Sequence, residues 1–149
     1  MPIRCEIVSQ DRRVWEGEAD IIIVPGEMGE MGILPNHAPL LLTLKFGILK
    51  VRSEDREEFF TVAGGIIEVQ PNLVTVLADS AENIAEIDVA RAEAARRRAE
   101  EMLKQAPPAN DDAFMKMESA LRRSNLRLEA VRRFRRQSRR MTGSSGETE

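Results

Sequence analysis

The sequence predicts an α+β chain: an N-terminal all-β sandwich over residues 1–85, a C-terminal antiparallel two-helix hairpin over 86–140 and a disordered tail over 141–149. Two periodicities and a charge split carry this reading. From Ile3 to about Ala78, apolar residues alternate with polar ones in short runs, the pattern of half-buried strands. From about Glu86 the sequence turns rich in Ala, Arg and Glu, with apolar steps of three and four, the pattern of helices. Charge divides at the same place: residues 1–85 sum to about −7 and residues 86–140 to about +6. Halves so divided invite association with each other, or of one half with an acidic partner.

Ile3, Cys5 and Ile7 alternate with polar residues and open the first strand. Val14 and Trp15 lead into Gly17, and an apolar run over 21–24 follows. The segment 25–41 then carries Gly26, Gly29 and Gly32, with Pro25, Pro35 and Pro39 around the chain's only histidine, His37. Gly supplies positive φ and Pro removes a donor, so a shaped loop between two strands is expected here, not a helix or a central strand. Shorter strands follow over 47–52, 58–62, 65–69 and 74–77, with turn signals at Ser53-Glu54-Asp55-Arg56 and Gln70-Pro71-Asn72. Gly64-Gly65 within this pattern indicates a bulge or a close backbone approach. A first helix is expected over 87–105, ended by Ala106-Pro107-Pro108. Asn110 or Asp111 can cap a second, whose stripe is Phe114, Met117, Leu121, Leu128, Val131 and Phe134. The first helix offers mostly alanine to its partner, and small side chains bury little area at about 25 cal/mol per Å².

Little in the chain supports catalysis. No Ser or Cys stands in a nucleophile motif, no Cys/His cluster has metal-ligand spacing, and the glycines at 26, 29 and 32 are followed by no Gly-Lys-Ser/Thr. No catalytic residue, metal or required cofactor is expected. Cys5 reads as a small buried strand residue. No signal peptide, transit peptide or apolar run near ~20 residues is found, so any membrane association is expected to be peripheral. Two other classes stay open. One is a nucleic-acid-binding module using the six arginines of residues 132–140, against which the acidic β half argues. The other is a small enzyme with His37 and a nearby carboxylate as its acid–base pair. Asp88 and Arg91 are three apart, and Arg123 and Arg127 four apart, on their helices. They read as ordinary surface pairs or, if the helices dock, as a polyphosphate site, since arginine forks match phosphate oxygens.

Several motifs stand together in order. Pro25-Gly26 and Gly32-Ile33-Leu34-Pro35-Asn36-His37-Ala38-Pro39-Leu40 are followed by Val62-Ala63-Gly64-Gly65-Ile66-Ile67-Glu68-Val69, then Ile87-Asp88-x-x-Arg91-Ala92. This series resembles the epsilon subunit of F-type ATP synthase of the bacterial type, over residues 3 to about 132. The resemblance implies a central-stalk rotor subunit that couples proton flow through the c-ring to ATP synthesis and inhibits ATP hydrolysis through its C-terminal helices. The implied partners are the gamma subunit, the c-ring and, with the hairpin extended, the alpha and beta subunits of the catalytic head. Nucleic acid and direct membrane insertion are not expected. The implied location is peripheral, on the cytoplasmic face of the bacterial inner membrane. Carried over by motif, a regulatory ATP would be bound by Glu82, Ile87, Asp88, Arg91, Ala92, Arg123 and Arg127. The rotor-interface loop would present Glu30, Met31, Pro35, His37 and Pro39. Pro107-Pro108 and the C-terminal arginine run depart from the family's usual pattern.

Overall fold

The computed structural model describes the backbone of residues 1–105 and 111–143, and the side chains of 1–104 and 112–135. Eight strands come first: β1 Ile3–Val8, β2 Arg13–Ala19, β3 Ile21–Gly26, β4 Gly29–Ile33, β5 Leu40–Ser53, β6 Arg56–Val69, β7 Leu73–Ala78 and β8 Ala81–Asn83. A 3-10 turn over Ile84–Glu86 leads to α1, Val89–Gln105, and α2, Asp111–Gly143. The connection carrying Ala106, Pro107, Pro108 and Asn110 lies outside the described residues, as do residues 144–149 of the expected tail. Residues 141–143, expected in that tail, continue α2.

The strands are hydrogen-bonded in the order β2-β1-β7-β6-β5-β3-β4, with β8 on β6. All pairs are antiparallel except β1 with β7, where Arg4 stands beside Leu73 and Val8 beside Leu77. The sheet becomes a sandwich because its two longest strands change which side faces inward. In β6, Phe60 and Val62 point into the core near the start, and Ile67 and Val69 do so near the end. Even positions thus give way to odd ones. The change falls at Gly64 and Gly65, whose φ values of 82° and 123° suit glycine alone. A Cβ on Gly65 would lie 2.2 Å from the Leu77 carbonyl oxygen. Its partner β5 switches in step, from Leu40, Leu42 and Leu44 to Leu49 and Val51. The first half of β6 then pairs with β8 and the second half with β7.

This arrangement corrects two expectations. Residues 40–42 and 47–52 are one strand, and 58–62 and 65–69 are another, because the parity change hides their continuity. Much of the expected loop 25–41 is a β3–β4 hairpin turning at Glu27 and Met28. The glycines and proline fit there because β4 is an edge strand. Pro25, which cannot donate, sits where the β3–β5 register is irregular. Only 34–39 is a true loop, with Asn36 at φ 65°.

The main core lies wholly within the sandwich and includes Cys5, fully buried as expected. A smaller cluster joins the halves: Phe59, Ile84, Ile87 and Ala130 are buried, with Ile48, Val131 and Phe134 packed against them. Through this cluster α2 rests on β5, β6 and the 3-10 turn, while α1 packs chiefly on α2. Of the five alanines α1 offers, Ala92 and Ala99 are buried. Small side chains let the helices approach closely but give a shallow contact.

Candidate functional site

A cleft of about 580 Å³ opens where hairpin and sandwich meet. Its walls come from six places in the chain. Arg12 reaches it from the β1–β2 turn, Glu82 from β8, Glu86 from the 3-10 turn, and Ile87 and Asp88 from the link to α1. Arg91, Ala92, Ala95 and Arg98 come from α1, and Arg127 from α2.

Local chemistry sets these positions. Asn83 Oδ1 accepts from the Ala85 N–H at 3.0 Å and so starts the 3-10 turn. Asp88 Oδ1 accepts from the Arg91 backbone N–H at 3.1 Å, capping α1. The surface pair expected between the Asp88 and Arg91 side chains is therefore not formed, because the carboxylate bonds to the backbone instead. Arg127 Nη2 lies 2.5 Å from Glu82 Oε1, and Arg12 Nη2 lies 3.9 Å from Glu86 Oε2. Arg91 and Arg98 have no ion pair among the described residues.

The structure thus brings together Glu82, Ile87, Asp88, Arg91, Ala92 and Arg127. Arg123, one turn earlier on α2, is not in the lining. Arg12, Glu86, Ala95 and Arg98 were missed by sequence reasoning. A signal existed for two of them: Ala95 and Arg98 stand four and seven residues after Arg91, on the same helix face. Arg12 and Glu86 had none, since only the fold brings the β1–β2 turn to the base of α1.

Four guanidinium groups and three carboxylates leave the cleft cationic, and Ile87, Ala92 and Ala95 give it an apolar wall. It suits a polyanion with an apolar part, and its volume is that of a small-molecule site. No described cluster of His, Cys, Asp and Glu could hold a metal ion.

The expected rotor-interface loop divides. Glu30 is exposed on β4, and Pro39 is exposed in the loop that follows. Pro35 and His37 are half-buried, and His37 Nδ1 lies 2.7 Å from the Ala38 carbonyl oxygen. Met31 is half-buried as well, with part of its side chain packed against the sandwich core. No described helix is long and apolar enough to cross a membrane.

The chain is thus a β-sandwich domain with a docked helical hairpin and a ligand-sized cleft between them. Residues 2–84 match the family model described as ATP synthase, Delta/Epsilon chain, beta-sandwich domain, and residues 85–132 its long alpha-helix domain. The chain belongs to this family, as an epsilon chain: a non-catalytic subunit of the central stalk of the proton-translocating F-type ATP synthase. It is 52% identical over 100 residues to the ATP synthase epsilon chain of Pelotomaculum thermopropionicum, covering 67% of this chain and 75% of that one. With the epsilon chain of Nitrosococcus oceani it shares 42% over 136 residues, 91% of this chain and 96% of the relative. Its fold is similar to a chain in the cryo-EM structure of the Euglena gracilis mitochondrial ATP synthase, OSCP/F1/c-ring. The TM-score there is 0.69 at 24% identity, with 87% of this chain and 81% of that chain covered.

Proposed function

We propose that this subunit couples proton flow through the c-ring to ATP synthesis, and that its hairpin is a nucleotide-gated brake on ATP hydrolysis. In this reading residues 1–85 form the rotor-binding unit, seated on the gamma subunit. Leu41, Ile66 and Leu77 support this, as exposed apolar side chains on β5, β6 and β7. Glu30 and Met31 of β4, with Pro35, His37 and Pro39 of the loop that follows, face the c-ring. Docked, the hairpin lies on the sandwich; extended, it meets the alpha and beta subunits of the head and blocks hydrolysis. The subunit works at the cytoplasmic face of the bacterial inner membrane, held there by protein partners.

The cleft's composition carries the nucleotide part. Its cations come from both helices and the sandwich, so they converge on one ligand only while the hairpin is docked. ATP bound there stabilises the docked form by its differential affinity for the two states. Arg91 and Arg98 are placed to meet phosphate oxygens, and Ile87, Ala92 and Ala95 offer a wall for the base. The test is calorimetric titration of the isolated chain with ATP. Saturable binding, weakened about ten- to hundredfold by Arg91→Ala, is expected. No binding at millimolar ATP would overturn the nucleotide reading.

A further inference from the structure

The C-terminal half of α2 makes contacts that no nucleotide is needed to form. Phe134 stacks on Phe59 of β6, ring centroids 4.9 Å apart and planes 24° from parallel. Lys50 of β5 places its ammonium 5.3 Å from the Phe134 centroid and 5.8 Å from that of Phe59, bracing the pair. One residue on, Arg135 Nη2 donates to the Ile84 carbonyl oxygen at 3.0 Å and to that of Ile87 at 2.5 Å. Those two carbonyls bracket the 3-10 turn, which with Ile87 and Asp88 joins the sandwich to the hairpin. Phe134 and Arg135 lie beyond residue 132, where the match to the family's helix domain ends.

We propose that Phe134 and Arg135 form a latch that holds the hairpin docked independently of nucleotide, by clamping the 3-10 turn against the C-terminal half of α2. The physical basis is a large aromatic contact joined to charge-assisted hydrogen bonds. Phe59 is only 1% exposed, and Phe134 is part of what covers it. Undocking must uncover that ring and return two carbonyls to water together. The latch also acts on the cleft, because Ile87, whose carbonyl Arg135 holds, forms part of its lining. Arg135 is thus a positioning residue, in reach of the cleft only through the backbone it grips.

The test is amide hydrogen exchange on the full chain without nucleotide, comparing wild type with Phe134→Ala and Arg135→Ala. Both variants are expected to exchange about tenfold or more faster at the Ile87 and Ala92 amides and along α2, with the amides of β6 and β7 unchanged. Phe134→Leu, which keeps most of the apolar contact, should lie between wild type and Phe134→Ala. Unchanged exchange at the turn in both alanine variants would overturn the latch. So would equal acceleration in the strands, which would mark general destabilisation. With nucleotide absent throughout, failure of the latch and failure of the ATP site are read separately.

Discussion

Glu82 on β8 and Arg127 on α2 meet at 2.5 Å, joining the last strand of the sandwich to the second helix across the mouth of the cleft. The pair is about a quarter to a third exposed, so its direct contribution to stability is modest. Its larger effect is on ligands, because Glu82 occupies a guanidinium that a phosphate would otherwise use. Glu82→Gln should free Arg127 and tighten ATP binding, whereas Arg127→Ala should weaken it about tenfold or more. Arg123→Ala should change it little. Isothermal titration of the three variants checks this, and a loss with Arg123→Ala equal to that with Arg127→Ala would contradict the geometry.

Gly65 should not tolerate a side chain. Its φ of 123° already disfavours any L residue, and a Cβ would collide with the backbone of Leu77 and Ala78. Gly65→Ala is expected to destabilise the sandwich by about 2–3 kcal/mol. Gly29→Ala has a similar φ of 131° but open space around it, and should cost only the conformational part, about 1–2 kcal/mol. Urea midpoints of the two variants should fall in that order.

Cys5 should be inert in the folded chain. Burial, with Glu6 adding to it, pushes its thiol from 9.0 to about 12. The folded state therefore holds the proton over a range where the unfolded chain has lost it. Stability from this group is fully present below pH 9 and falls as pH rises from about 9 toward 12. A maleimide should label the native protein slowly at pH 8 and rapidly in urea. The urea midpoint of wild type should drop more steeply above pH 9 than that of Cys5→Ala.

Residues 1–85 should fold alone, because every residue of the main core lies between Ile3 and Ala81. The fragment leaves Phe59 and Ile84 uncovered, so it should bind a hydrophobic dye more strongly than the full chain while keeping its sheet signal in circular dichroism. It should still bind gamma with the c-ring. An unfolded fragment would show that the hairpin supplies more than the small cluster around Phe59.

Removal of residues 107–149 should raise ATP hydrolysis by the assembled enzyme and leave coupling largely intact. The arginines of α2 have the charge to meet acidic surfaces of the head. The rate is best measured after bound ADP has been cleared, and an unchanged rate would remove the hairpin from inhibition.

Legibility followed periodicity. Ile3, Cys5 and Ile7 alternate cleanly, and so do Val74 and Val76, and all are buried as read. Sequence reading failed where two local rules collided. Across Gly64 and Gly65 the inward face changes parity, so one long strand reads as two short ones. In β4, the glycines that suit an edge strand also mimic a loop. Three-residue β8 is too short to show any period. In the cleft, the compact run from Ile87 to Ala92 was readable because its spacing is local. Arg12 was not, because some seventy residues separate it from Glu86 and only the sheet order unites them.

The parallel pairing of β1 with β7 bears on how the chain is made. Arg4 must wait for Leu73 and Val8 for Leu77, so the strand synthesised first has no long-range neighbour on that edge until nearly the whole sandwich has left the ribosome. Contacts so distant in sequence slow folding, since a large loop must close before any reward arrives. Until then only β1–β2 and the middle hairpins can form, and the unpaired edge of β1 stays open to other chains. The helices emerge after this closure is possible. A nascent chain stalled before residue 73 should therefore be protease-sensitive and held by chaperones, and one stalled with 85 residues exposed should not.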